Sequence, residues 1–324
     1  MNPTNRHPRM ALGLFPTPLH RAMRLRDDGS FVLKRDDLTG FGLAGNKARP
    51  LEFLTADALA QGCDMVVTGG APTSNFIGAL AQAAYVAGIP CEVLLASGSE
   101  TSVPVQLARA CDANVLRVEC DRSLIDDAIE KRVCELESQG RRPYLVPRGG
   151  ANAVGALGFA NAAFEILAQT EVLGIEPSMA TIVLPTGSGA SLAGFVAGSE
   201  AAGLNWRVIG VSVSRPVEQI SADIERLTSA CSEIMGTTPA SRDAFKIVDR
   251  AGGKHAGERD NRSARLMRKR EGILLDPHYG APAFDFALEL PASQREPVVL
   301  WLTGGIPLAI DGLDLSDSIA SGYR

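Results

Sequence analysis

From residue 31 to about residue 220, short apolar runs alternate with longer segments in which apolar residues recur three and four apart. The short runs Phe31-Val32-Leu33, Met65-Val66-Val67-Thr68, Cys91 to Leu95, Asn114 to Val118, Tyr144-Leu145-Val146, Thr181 to Leu184 and Val208 to Val211 read as strands. Arg49 to Gln61, Ser74 to Ala87, Leu124 to Ser138, Gly155 to Gln169 and Ser191 to Gly203, mostly Ala-rich, read as helices. Two late strands are expected at Gly272 to Leu275 and Val298 to Leu302. The alternation predicts an α/β fold with mainly parallel sheets flanked by helices. Ligands then belong at the carboxyl ends of the strands. Residues 221–270 break the pattern: they are polar and charge-rich, with Ala251-Gly252-Gly253-Lys254 and four basic residues between Arg265 and Arg270. That stretch reads as a solvated helix face plus a surface loop rather than a polyanion site.

Composition narrows the partners. The 324 residues, 45% hydrophobic and 21% charged, suit one large or two modest globular domains and exclude a disordered or collagen-like chain. A net charge of −5, from 37 acidic and 32 basic residues, offers no general attraction for nucleic acid or an anionic membrane, so a small-molecule partner is expected. Cys63, Cys91, Cys111, Cys120, Cys134 and Cys231 are widely spaced without a C-x-x-C. Neither a metal site nor a disulfide framework is indicated, and reduced thiols in a cytoplasmic protein are expected. The first residues lack an apolar core and no stretch reaches about 18 uninterrupted apolar residues, so neither secretion nor membrane spanning is expected.

The 33 glycines, about a tenth of the chain against a usual ~7%, include a pointed group. Val183-Leu184-Pro185-Thr186-Gly187-Ser188-Gly189-Ala190-Ser191 runs from a strand through small residues into a helix. Bare amides and hydroxyls at a helix start form an anion site, and glycine lets backbone approach the ligand. A dinucleotide fingerprint would need glycine where Leu192 stands, a P-loop would need a lysine, and a hydrolase elbow would need glycine at Thr186 and Ala190. A phosphate cup without a lysine remains, beside the plainer reading of a tight turn with no ligand.

Lys47 follows the glycine-rich stretch Gly40-Phe41-Gly42-Leu43-Ala44-Gly45-Asn46 and opens a helix. A lysine at a helix start is ordinarily a surface residue; the positive helix end would also lower its pKa and suit an amine that attacks a carbonyl. The company it keeps favours the second reading. Phe15-Pro16-Thr17-Pro18-Leu19, Lys34-Arg35-Asp36-Asp37, Gly45-Asn46-Lys47-x-Arg49, Ser74-Asn75, Thr186-Gly187-Ser188-Gly189, Leu275-Asp276-Pro277-x-Tyr279 and Thr303-Gly304-Gly305 occur in order over nearly the whole chain. Together they resemble the aminocyclopropane-carboxylate deaminase and D-cysteine desulfhydrase family of pyridoxal-phosphate enzymes.

The resemblance implies a two-domain, tryptophan-synthase-β-like fold (fold type II). Residues 1–45 plus 156–324 would form the larger domain, and residues 46–155 a smaller mobile one. It implies pyridoxal phosphate as cofactor, a small amino-acid substrate and a homodimer. By position, Lys47 is similar to the lysine that holds the cofactor covalently, and Asn75 to the side chain bonded to its phenolic oxygen. Ser74 and Tyr279 look like hydroxyls that face the substrate. Thr186, Gly187, Ser188, Gly189, Ala190 and Ser191 fall on the phosphate cup, and Thr303 near the pyridine nitrogen. A neutral hydroxyl there leaves the ring a weaker electron sink, which favours eliminations.

The departures concern the substrate. Pro50 stands where the family commonly has a second lysine, and Phe76 where it has histidine. His278 precedes the tyrosine and Gly280 follows it. A tyrosine-bearing Gly-Tyr-Gly segment is replaced near Ala251 to His255. Thr73, Ser74, Phe76, His278 and Tyr279 are therefore the expected substrate contacts. His278 could assist proton transfer or be structural. Cα deprotonation followed by β-elimination or replacement, on a specialised substrate, is favoured over ring-opening deamination of aminocyclopropane carboxylate. Cofactor or amino-acid binding without turnover is the remaining alternative.

Overall fold

The computed structural model describes residues 2–98, 100–213, 215–250 and 262–311. The segment near Ala251 to His255 that departs from the family therefore lies outside the described residues. In chain order the strands and helices are β1 (Leu19–Arg21), β2 (Phe31–Arg35), α1 (Ala48–Ala60), β3 (Met65–Gly70), α2 (Asn75–Ala87), β4 (Cys91–Leu95), α3 (Val103–Ala110), β5 (Asn114–Arg117), α4 (Ile125–Ser138), β6 (Pro143–Leu145) and α5 (Ala153–Leu173). They continue with β7 (Thr181–Thr186), α6 (Ala190–Ala201), β8 (Arg207–Ser212), α7 (Val217–Met235), β9 (Phe245–Asp249), α8 (Arg262–Glu271), α9 (Gly280–Glu289), β10 (Val298–Leu302) and α10 (Ile306–Asp311).

Two sheets result. One has the order β1-β2-β10-β7-β8-β9 and the other β5-β4-β3-β6. Every pairing is parallel except β1 with β2. Period-two alternation shows why the strands read as unbroken apolar runs. Val32, Ile182, Leu184, Val299 and Trp301 enter one core with Phe159, Ala163 and Phe195 of α5 and α6. Their neighbours Phe31, Leu33, Val183, Leu300 and Leu302 enter another with Ala281 and Phe284 of α9. Both faces are thus buried, as parallel sheets require. The smaller sheet repeats this, with Val66 and Val93 on the α2 side and Val67 and Leu94 on the α4 side.

Two expectations need correcting. Gly272 to Leu275 is not a strand: Ile273 and Leu275 are buried in the α9 core without a ladder. The described part of residues 221–270 is less superficial than its polarity implies, since Ile224, Leu227, Cys231 and Met235 bury one face of α7. Among the described residues one helix, 148–173, is long and apolar enough to cross a membrane; half of its apolar stretch is buried, and it includes α5, which packs on α1, α6 and α7.

Candidate active site

The carboxyl ends of β3, β5, β6, β7, β8 and β10 converge on a cavity of about 470 Å³, within the usual size range for small-molecule sites. Lys47 reaches it from a tight turn, Gly45–Lys47, that leads into α1. The turn is pressed against the end of β10: the Asn46 N–H donates to the Thr303 carbonyl at 2.9 Å. A Cβ on Gly45, whose φ is +54°, would lie 2.3 Å from that same oxygen, so only glycine fits. Lys47 is half-buried and opens on the cavity. Loss of water pushes its pKa from 10.5 down to about 8. Desolvation, rather than the helix end invoked from sequence, is the cause.

Two residues on, Arg49 anchors the turn. Its guanidinium meets Asp36 at 2.7 Å and Glu165 at 2.8 Å, and Trp301 Nε1 donates to Asp36 at 2.7 Å. Lys34 also pairs with Glu165. These groups are nearly all removed from solvent, so β2, α1, α5 and β10 are joined by one charge network. Burial raises the Glu165 carboxyl, but hydrogen bonds and charge from Arg49, then Lys34, outweigh it and hold the pKa at about 2.

Ser74 caps α2 and Asn75 is its first residue; both line the same cavity as Lys47. Asn75 Oδ1 is buried without a hydrogen-bond partner. The end of β7 contributes Pro185, Gly187 and Ser188. A Cβ on Gly187 would approach the Tyr279 ring to 3.0 Å. Tyr279 is held by Asp276, which accepts the N–H groups of His278, Tyr279 and Gly280 at 3.0, 2.6 and 3.0 Å. Burial lifts the Asp276 pKa to about 6 against those hydrogen bonds.

Lys47, Ser74, Asn75, Phe76, Gly187, Ser188, Tyr279 and Thr303 thus share one cavity. The other expected residues stand behind or outside its wall. Thr186 is buried and donates to the Leu184 carbonyl; Gly189, at φ +93°, and Ala190 start α6; Ser191 accepts from Asn46 at 3.5 Å. Thr73 and His278 are exposed, and His278 packs edge-on against Tyr279 at 5.1 Å between ring centroids. Phe76 is 2% exposed and belongs to the α2 core as well as the wall. Arg148, Arg215, Gln219, Asp121 and Ser123 also line the cavity and belong to none of the sequence motifs, while Asp276 belongs to one without a role assigned to it there. The rule that ligands sit at strand ends signalled several of them, because Arg215 follows β8 and Arg148 follows β6.

A buried amide oxygen lacking a partner, a desolvated lysine and a glycine turn at a helix start fit a phosphorylated aldehyde: the lysine meets the carbonyl, the turn meets the phosphate, and Asn75 meets a polar ring substituent. This is the arrangement of a fold type II pyridoxal-phosphate enzyme. The chain belongs to the pyridoxal-phosphate dependent enzymes, whose family profile matches residues 10–304. Its relatives include a Pyrococcus abyssi protein carrying the provisional name 1-aminocyclopropane-1-carboxylate deaminase, 34% identical over 94% of this chain and 93% of that one. The D-cysteine desulfhydrase of Klebsiella pneumoniae is 33% identical over 93% and 95%. A crystal structure of an ACC deaminase homologue superposes with a TM-score of 0.84 at 31% identity, covering 98% and 97%. Pyridoxal phosphate is accordingly the cofactor, and the resemblance seen in the sequence motifs holds.

Proposed function

We propose that this enzyme removes the Cα proton of a small amino acid and expels or replaces the β-substituent. The observation that carries this reading is the half-buried Lys47 amine, shifted to about 8 and sharing one cavity with Ser74, Asn75 and Tyr279. Bound pyridoxal phosphate supplies an electron sink for charge developing at Cα. Lys47 first holds the cofactor and then, as a free amine, takes the proton; a pKa near neutrality suits both tasks. Asn75 orients the ring through its unpartnered amide oxygen or amide N–H groups. Ser188 and Gly189 offer backbone amides to the phosphate. Ser74 and Tyr279 hold the substrate and protonate the departing group. Thr303, on the same cavity wall, would face the pyridine nitrogen. The named activities of the relatives, D-cysteine desulfhydration and 1-aminocyclopropane-1-carboxylate deamination, support a small amino-acid substrate.

Phe76 replaces a polar ring by an apolar one at the wall and favours a larger or less polar substrate group there. The cytoplasm is the proposed location, with a homodimer as the working form. Exposed Leu14, Leu38 and Leu43, on adjoining segments around residues 14–43, support a second copy as the occupant of that surface, and sedimentation would read the dimer directly. The smaller sheet, confined to residues 65–145, supports residues 46–155 as a domain that closes on 1–45 plus 156–324, with the first turn of α1 as the joint.

A panel of D- and L-amino acids carrying a β-leaving group, together with aminocyclopropane carboxylate, assayed for 2-oxo acid release tests the reaction. Release from a β-substituted amino acid with little from the cyclopropane is expected. Efficient ring opening, or release of neither 2-oxo acid nor the β-substituent from any β-substituted amino acid when a thiol nucleophile is also supplied, would overturn it.

A further inference from the structure

The proposed phosphate turn contains no cation of its own, and Pro50 offers none from α1. A cation nevertheless stands behind it. β7 and β8 run parallel with Thr186 beside Ser212, so the chain leaving β8 passes along residues 187–189. There Arg215 Nη2 donates to the carbonyls of Gly187 at 3.3 Å and Ser188 at 3.2 Å. Its Nη1 is fixed by Asp223 of α7 at 2.6 Å, and Asp223 also receives Arg226 at 3.1 Å. The Ser212 hydroxyl donates to the Arg215 carbonyl at 2.7 Å, which pins the backbone as well.

A peptide plane has two ends. If one guanidinium gathers the carbonyls of residues 187 and 188, the N–H groups of Ser188 and Gly189 are directed to the opposite side. We propose that Arg215 is a positioning residue for the cofactor phosphate: it orients the Gly187–Gly189 peptides as anion donors and supplies, from behind them, the positive charge that the turn lacks. Asp223 sets its geometry without reaching the cavity wall. A lysine could not reproduce this, since its single ammonium lacks the planar fork that serves two carbonyls and a carboxylate together.

The inference rests on the reading of residues 186–189 as the phosphate turn, and the test separates the two. Apo-protein of the full chain is titrated with pyridoxal phosphate and with pyridoxal, which lacks the phosphate, following the absorbance of the bound aldehyde. The ratio of the two affinities reports the phosphate's contribution alone. Arg215→Ala is expected to lower pyridoxal phosphate affinity about tenfold or more while pyridoxal stays within about two-fold, and Arg215→Lys to recover little. Asp223→Asn, which retains the guanidinium, is expected to lower the ratio by a smaller factor and stands in should Arg215→Ala not fold. An unchanged ratio in Arg215→Ala, or in Asp223→Asn where that variant stands in, with a collapsed one in Gly187→Val, overturns the role of Arg215 and leaves the turn in place. Unchanged ratios in all variants overturn the turn itself. Equal losses for both ligands also overturn the proposal, because they mark general damage to the cavity.

Discussion

Lys47 loses water without gaining a paired carboxylate among the described residues, so its neutral form is available from a pH of about 8, well below that of an ordinary lysine. The rate at which apo-protein bonds pyridoxal phosphate is therefore expected to rise with pH to a plateau with a midpoint near 8. A rate still climbing steeply at pH 10 would mean that the amine is solvated. At Phe76 the expected outcome is selective: Phe76→His should raise the weak activity on aminocyclopropane carboxylate or D-cysteine, read as kcat/KM. Efficient turnover of both substrates by the unaltered enzyme would contradict a specialised pocket. Single residues were legible where a motif surrounds them, as with Gly45-Asn46-Lys47 and Ser74-Asn75. Arg215 was not, because its partners are carbonyls 27 and 28 residues away, brought near only by β7–β8 pairing.

Among the elements, the start of α9 rests on one side chain. Asp276 satisfies three N–H groups at its start, and Asp276→Ala strands them, that of Gly280 in a buried place, a loss of about 1–3 kcal/mol. A lower thermal midpoint and a displaced Tyr279, seen as reduced turnover, are the expected readouts. The pH dependence has a definite sign. With a folded pKa raised from 3.8 to about 6, Asp276 stabilises the protein fully below pH 4, and that contribution declines as pH rises through 6. Asp276→Asn, which carries no charge, should lack this decline; identical pH profiles for the two proteins would contradict it. The Leu275-Asp276-Pro277 motif was visible, yet Gly272 to Leu275 was misread as a strand because apolar sequence specifies burial but not a ladder partner. α7 was obscured for the opposite reason: its polar majority hides a regular apolar face.

At the scale of the molecule, the Lys34, Asp36, Arg49 and Glu165 network joins both sides of the proposed domain division next to the reactive lysine. Arg49→Ala leaves two buried carboxylates facing each other and is expected to cost about 3–5 kcal/mol, measured as a lower urea midpoint. Glu165, held at about 2 from an ordinary 4.5, stabilises the fold fully above pH 4.5 and loses that contribution as pH falls toward 2. The parallel twin-sheet architecture was largely legible, since strands buried on both faces announce themselves as apolar runs. Short edge strands β1 and β9 were not, because half-buried and exposed residues build them without a fully buried one.

The site stands or falls on which lysine carries the cofactor. Borohydride reduction of the holoenzyme, followed by peptide mapping, fixes the attachment point covalently. A single label on Lys47 is expected, with Lys47→Ala losing both label and turnover while pyridoxal phosphate still binds reversibly. A label on Lys34 or Lys254 would contradict it.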